Sequence, residues 1–279
     1  MPVSLENCAQ NTDIHIQKAR ISASLLETKG SKMSDWKDTQ RTGSAFGSVP
    51  RAGGDVQGRE TYDEGLRSYM LSIYNYMASA VLLTGIVAAG AAATGLAYAF
   101  ASGPLIWIVA LAPLGFILAM SFGLHKMSYG TLQVVFWAFA TVMGLSMSTI
   151  FLVFTGESIA VTFFATAAAF AGLSLFGYTT KKDLTAMGSF LIMGVVGLIV
   201  AMVVNWFLQS ETMSFVISGL GVLIFAGLTA YDTQRLKNDY QYLRGTEFMG
   251  KAVIMGAVSL YLDFVNMFMF LLNFLGSRE

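Results

Sequence analysis

The sequence predicts an all-α integral membrane protein with seven transmembrane helices. Of the 279 residues, 55% are hydrophobic and only 12% are charged, whereas soluble domains carry about 25% charged residues. Long apolar runs recur from residue 74 onward, each close to the roughly 20 residues that a helix needs to cross a bilayer. These runs lack the period-2 alternation of membrane β-strands.

Seven apolar runs are predicted to be the membrane helices. We place them at residues 74–99, 104–124, 131–154, 158–177, 188–208, 213–233 and 254–275. Their frequent Gly, Ala and Ser residues are typical of helix contacts in membranes, so we interpret them as packing positions. Residues 70–279 therefore form one seven-helix transmembrane domain.

The segment before the first run has a different composition. Residues 1–69 are polar, as in "TQRTGSAFGSVPRAGGDVQGRE". Such a segment cannot bury enough apolar surface to offset the conformational entropy lost on folding. We therefore expect residues 1–69 to form a disordered tail.

The loops predict the orientation of the helices. Basic residues follow the second, fourth and sixth runs, whereas the loops after the odd-numbered runs carry Glu157, Glu211 or no charge. The basic residues are His125, Lys126, Lys181, Lys182, Arg235, Lys237, Arg244 and Lys251. Because cytoplasmic loops are enriched in Lys and Arg, the N-terminus is predicted to be cytoplasmic and the C-terminus exterior. No targeting signal is recognised, which fits a bacterial inner membrane.

Composition also argues against several classes of function. The formal net charge is zero, so no basic footprint for nucleic acid is present. Cys8 is the single cysteine, and His15 and His125 are far apart, so a cysteine-based metal cluster or a spaced histidine motif is not expected. No resident cofactor is predicted.

Two acidic residues lie inside apolar runs and are the candidate functional residues. Asp232 ends the sixth run, and Asp263 lies in "GAVSLYLDFVNMFMFLLNF" of the seventh. An aspartate at the centre of a membrane helix costs about 2.5–3.5 kcal/mol on insertion scales. Asp232 also lies near a helix C-terminus, where the helix dipole disfavours an anion. Packing alone would select neither position.

The two carboxylates are expected to lie close together. If the seventh span begins near Ala257, Asp263 is about 9 Å into the membrane, on the side where Asp232 ends its helix. Two neighbouring carboxylates at low dielectric cannot both ionise, so the pair retains a proton unless a cation intervenes. Oxygen ligands from this pair and Asn266 would suit transient Ca²⁺ binding. The structural alternative is that Asp232 pairs with Arg235, and Asp263 with the hydroxyl of Tyr261 or Ser259.

Three motifs resemble the Bax inhibitor-1 family, also called the transmembrane Bax inhibitor motif family. They are "GYTTKKDLTAMGSFL" at 177–191, "GLTAYDTQ" at 227–234 and "SLYLDFVNMFMFLLNFLG" at 259–276. The resemblance covers roughly residues 65–279. It implies a fold in which a central helix 7 is surrounded by helices 1–6.

The resemblance also implies a function. Bacterial members are described as pH-sensitive calcium leak channels, in which the aspartates at the positions of Asp232 and Asp263 form a proton-sensing pair. Channel-forming relatives also have an arginine at the cytoplasmic end of helix 2 that contacts the helix-6 aspartate. Here Gly123 stands near that position, so His125 and Lys126 are the candidate replacements. An imidazole there would titrate near its ordinary pKa of about 6.5, but His125 is equally a candidate for a plain interfacial residue.

Two further functions are compared with the cation leak. Other family members are linked to a membrane protease or to suppression of cell death, so the alternative is a non-transporting regulator that binds a membrane protein through its tail. The third is an intramembrane aspartyl protease of the presenilin type. Such enzymes place their second aspartate in Gly-x-Gly-Asp, whereas Asp263 follows the bulky "SLYL". We therefore predict no enzymatic activity.

Overall fold

A computed structural model describes residues 53–101 and 105–277 of the chain, and within them all regular structure is helical. Seven long helices are each long and apolar enough to cross a membrane, which confirms the predicted fold class. They are α1 Gly53–Ala93, α2 Leu105–Gly123, α3 Tyr129–Met147, α4 Gly156–Thr179, α5 Thr185–Leu208, α6 Glu211–Leu243 and α7 Met249–Leu275. A short helix, Leu96–Ala101, follows α1, and a 3₁₀ segment, Ser148–Leu152, extends α3.

Helix α7 forms the centre of the bundle, as the family resemblance implied. Its membrane-spanning window is 67% buried, against 11% for α2 and for α5. It packs directly against α3, α4 and α6, and the hydroxyl of Tyr261 contacts Thr84 of α1. Helices α2 and α5 pack on α3 and α6 and expose most of their apolar side chains, as lipid-facing helices do.

Helix α1 begins well before residue 70, so the predicted boundary of the disordered tail is wrong for residues 53–69. Leu66, Tyr69, Met70 and Ile73 are all buried. Their spacing of three and four residues gives one apolar face on the polar first part of the helix. Composition averaged over the segment conceals that face. Residues 1–52 lie outside the described residues, so the tail prediction there stays a prediction.

The connection from α6 to α7 is mostly helical. Helix α6 continues to Leu243, and α7 begins at Met249, so "KNDYQYLRGTEFMGK" lengthens the two helices around a short turn. Gly245 has a φ of +76° in that turn, a conformation that glycine adopts without strain. The cytoplasmic location of this end stays a prediction from its basic residues.

Polar side chains begin several of the helices. Ser128, Thr155 and Ser210 each accept a hydrogen bond from the backbone N–H three residues later, at the starts of α3, α4 and α6. Each bond satisfies one of the N–H groups that the first turn leaves without a helical partner. The residue that precedes α5, Leu184, supplies no such side-chain bond. The start of α5 depends instead on a residue of α6.

Candidate functional site

The two predicted aspartates lie on the packed faces of α6 and α7. Asp232 is 8% exposed and Asp263 is 5% exposed. Their helices are in extensive contact, and the two carboxylates interact electrostatically. The structure therefore brings together the two acids that the sequence singled out.

Arg235 is the basic residue that contacts this pair. Its Nη1 lies 3.2 Å from Oδ1 of Asp232, and its Nη2 donates to Oγ of Ser259 on α7 over 3.2 Å. Its charge also acts on Asp263. Arg235 therefore links α6 to α7, and the Asp232–Arg235 pair considered as a structural alternative is present.

The second part of that alternative, a hydrogen bond from Tyr261 or Ser259 to Asp263, is not found among the described residues. The hydroxyl of Tyr261 hydrogen-bonds Thr84 at 2.8 Å, and Thr84 donates to the carbonyl of Ala140 at 3.0 Å. Ser259 accepts from Arg235. Oδ2 of Asp263 is buried without a hydrogen-bond partner in the described part of the chain. A buried polar atom left without a partner costs about 1–3 kcal/mol, and more when it is charged.

A cavity of about 400 Å³ adjoins Arg235, between α1, α6 and α7. It is lined by Arg235, Ser259, Asp239 and the ring of Tyr69, whose buried hydroxyl also has no partner among the described residues. The charge of Asp239 acts on both Asp232 and Tyr69. A cavity of this size with polar groups in its wall accommodates water. Sequence inspection missed Asp239 and Tyr69 because both lie outside the predicted spans.

The residues that follow Asp232 hold the loop between α4 and α5. Gln234 accepts a hydrogen bond from the backbone N–H of Leu184 at 2.9 Å and donates to the carbonyl of Lys182 at 2.8 Å. Lys237 donates to the carbonyl of Tyr178 at the end of α4, over 2.7 Å. "YDTQ" and "GYTTKKDL" are therefore in direct contact. The sequence contains a signal for this contact, since polar residues stand at positions 232, 234 and 237, where the apolar run of α6 ends.

Two glycines allow α4 and α5 to approach α6 beside Asp232. A Cβ atom on Gly177 would collide with the backbone carbonyl of Ala230, and one on Gly188 would collide with the ring of Tyr231. Both contacted residues immediately precede Asp232. The close packing of neighbouring helices therefore fixes the position of this aspartate.

The remaining predicted residues lie apart from the carboxylates. His125 is exposed and stacks on Phe248, with ring centroids 6.2 Å apart, and Lys126 is exposed. Within the described ranges, the ion pair to Asp232 comes from Arg235 and from neither of these residues. Asn266, one turn beyond Asp263, donates to the carbonyl of Leu262 at 2.8 Å, which leaves its own carbonyl oxygen available.

The acid pair supplies a small set of oxygen donors. Among the described residues, no group of three or more His, Cys, Asp or Glu side chains could hold a metal ion. High-affinity Ca²⁺ sites use six to eight oxygen ligands with several carboxylates. The two carboxylates of Asp232 and Asp263 fall short of that ligand set.

Comparisons with known proteins place the chain in a family. Residues 66–279 match the family model Bax1-I, described as inhibitor of apoptosis-promoting Bax1. An uncharacterised protein of Rickettsia prowazekii is 47% identical over 79% of this chain and 94% of its own length. The inner membrane protein YbhL of Escherichia coli is 39% identical over 82% of this chain and 98% of its own length. The chain is therefore an integral bacterial inner-membrane protein, and it belongs to the Bax inhibitor-1 family.

Proposed function

We propose that the protein is a pH-sensitive cation leak whose gate is the carboxylate pair of Asp232 and Asp263. The observation that carries the proposal is the buried, unpartnered Oδ2 of Asp263, beside a second carboxylate and a single guanidinium. This oxygen atom needs a proton or a bound cation to replace the missing hydrogen bond.

The charges of the site explain why. Ionised Asp232 and Asp263 contribute two negative charges, the nearby Asp239 acts on Asp232 with a third, and Arg235 contributes one positive charge. At least one negative charge is left over in a buried position, and an uncompensated buried charge costs several kcal/mol. Either a proton or a cation removes that cost. Protons and cations therefore compete for the same place, which makes any leak through it dependent on pH.

Ca²⁺ is a hard cation that suits the ligands of the pair. All groups available at the pair are oxygens, which prefer hard cations over soft metals. The small number of ligands supports a transient ion in passage and not a resident one. Conduction requires binding that is favourable enough for an ion to enter and weak enough for it to leave.

Arg235 is proposed to hold the closed arrangement. Its contacts with Asp232 and Ser259 join α6 to α7 on the predicted cytoplasmic side of the pair. Arg235 also lines the 400 Å³ cavity, so its guanidinium lies beside both the cavity and the carboxylate of Asp232. Arg235 thus takes the role that an arginine of helix 2 has in channel-forming relatives.

The test is Ca²⁺ flux into proteoliposomes that contain a fluorescent indicator, measured between about pH 5 and pH 8. Wild type is compared with Asp232→Asn, Asp263→Asn and the control Glu157→Gln, which neutralises an exposed acid at the start of α4. We expect a pH-dependent leak that Asp263→Asn makes independent of pH and that the control retains. A wild-type pH profile in Asp263→Asn would contradict the gate.

The alternative function is regulation of a membrane protein partner, such as a protease, without transport. It would act through the tail, residues 1–69, most of which lie outside the described residues. Its support is the family description itself, which names inhibition of another protein. Negligible flux in every variant, together with loss of a co-purifying partner on deletion of residues 1–60, would favour this alternative over the leak.

A further inference from the structure

A long apolar groove of about 790 Å³ separates α1 from α4 on the outside of the bundle. Its walls are side chains of these two helices, and Phe264 of α7 forms part of its floor. On α1 the lining runs from Arg67 to Leu82, a length of about 22 Å at the helical rise per residue. One leaflet contributes about 15 Å of hydrocarbon, so the groove is long enough for one acyl chain.

Basic residues gather at one end of this groove. Arg67 lines it, is exposed, and has no ion-pair partner among the described residues. At the same end Lys237 lies 4.9 Å from the ring of Tyr178, another lining residue. Lys181 and Lys182 follow α4 directly. Asp63, Glu64 and Asp183 are acidic residues near this end, and within the described part of the chain none of them lines the groove.

We propose that this groove holds one anionic phospholipid of the cytoplasmic leaflet, with its acyl chain between α1 and α4 and its phosphate at Arg67. A guanidinium binds phosphate through two parallel charge-assisted hydrogen bonds. The ammonium groups of Lys237, and of Lys181 and Lys182 in the loop after α4, add attraction for a headgroup with net negative charge. The apolar walls lie within two membrane-spanning helices, where lipid is the surrounding solvent.

The continuation of the groove toward the opposite leaflet supports a single lipid. A second hollow of about 460 Å³ shares Val81, Leu82, Phe163 and Phe264 with the first. Its lining contains no charged residue. A lipid of the exterior leaflet therefore finds an apolar surface there but no group that recognises its headgroup.

The groove also contacts the surroundings of the aspartates. Ser174 lines it and accepts a 3.4 Å hydrogen bond from Thr233, the neighbour of Asp232. Phe264 of its floor is the neighbour of Asp263. A bound acyl chain therefore packs against Phe264, which adjoins Asp263, and against Ser174, which is hydrogen-bonded to the neighbour of Asp232. Binding of the lipid does not depend on whether the protein conducts ions.

The test is native mass spectrometry of the full chain. Delipidated protein is incubated with equal amounts of phosphatidylglycerol and phosphatidylethanolamine in detergent. The groove variants are Arg67→Gln, Arg67→Lys and Ala171→Trp, the last of which fills the groove. The controls are Lys126→Gln, an exposed cation elsewhere, and Ala110→Trp on the lipid-facing surface of α2.

We expect wild type to retain one phosphatidylglycerol in preference to phosphatidylethanolamine. Arg67→Gln should reduce this retention about tenfold, as loss of a charge-assisted contact predicts, and Arg67→Lys should restore part of it. Ala171→Trp should lose both lipids, and the two controls should match wild type. Equal retention of both lipids by wild type, an unchanged Arg67→Gln, or a protein dimer in place of the lipid would overturn the proposal.

Discussion

Substitution of Arg235 by Gln tests how the acid pair is controlled. The guanidinium favours the ionised form of the carboxylates beside it, and the neutral amide does not. If the leak requires an ionised pair, the variant needs a higher pH before it conducts. We therefore expect the pH of half-maximal flux to move upward in Arg235→Gln.

The size of the shift follows from the geometry of the ion pair. Two unit charges about 4 Å apart interact by about 4 kcal/mol at an effective dielectric constant of 20, and Nη1 of Arg235 lies 3.2 Å from Oδ1 of Asp232. The arginine side chain is 40% exposed, and exposed pairs keep only about 0–1 kcal/mol. An intermediate value of about 1–2 kcal/mol is therefore expected. Since about 1.4 kcal/mol corresponds to one pH unit, the midpoint should move by about one unit.

The assay is the same proteoliposome flux, with the internal and external pH varied together. Arg244→Gln is the matched control, because Arg244 immediately follows α6 and lies over the ring of Tyr62, 5.4 Å from its centroid. That variant removes the same charge from the same end of the bundle. An unchanged midpoint in Arg235→Gln, or an equal shift in both variants, would refute the reasoning.

Three other predictions concern the support of the site. Gly177→Ala should lower thermal stability in detergent, because overpacking against the Ala230 carbonyl costs about 1–3 kcal/mol; Gly172→Ala, which meets open space on the same helix, should not. Gln234→Ala should speed hydrogen exchange at the Leu184 amide, about fivefold for a lost bond worth about 1 kcal/mol, whereas Gln234→Glu keeps the acceptor and should change it less. The hydrogen bonds from the Thr185 hydroxyl and backbone lower the pKa of Asp183, so its contribution to stability is present above about pH 4 and is lost as pH falls. The drop in melting temperature from neutral to acidic pH should therefore be smaller in Asp183→Asn than in wild type. An equal drop in the two proteins would contradict this role of Asp183.

The sequence could predict the features that depend on composition and on local position. Seven apolar runs define seven spans because hydrophobic length alone decides whether a helix crosses a bilayer. Asp232 and Asp263 stand out for the same reason, since a charge in such a run is rare. The family motifs supplied the central position of α7, which periodicity alone does not reveal.

The remainder depends on contacts between distant residues. Gln234 accepts a hydrogen bond from Leu184, 50 residues away in sequence, and no local pattern predicts this contact. The start of α1 was missed because Leu66 and Tyr69 are single apolar residues in a polar segment, and they become a buried face only beside Tyr240 of α6. The partner of Asp232 could be inferred from the spacing to Arg235, but the choice between Arg235 and His125 required the fold.

The position of Arg235 on α6 has a mechanical consequence. Asp232 and Arg235 are three residues apart on the same helix, so sliding or tilting of the other helices does not change the spacing between them. An ion pair between helices 2 and 6 would be broken by such a movement. Here, tilting of α6 against α7 instead stretches the Arg235–Ser259 hydrogen bond and changes the distance between the two carboxylates. Asp232 and Arg235 therefore move together with α6, and a rearrangement of the bundle changes their distance to Asp263.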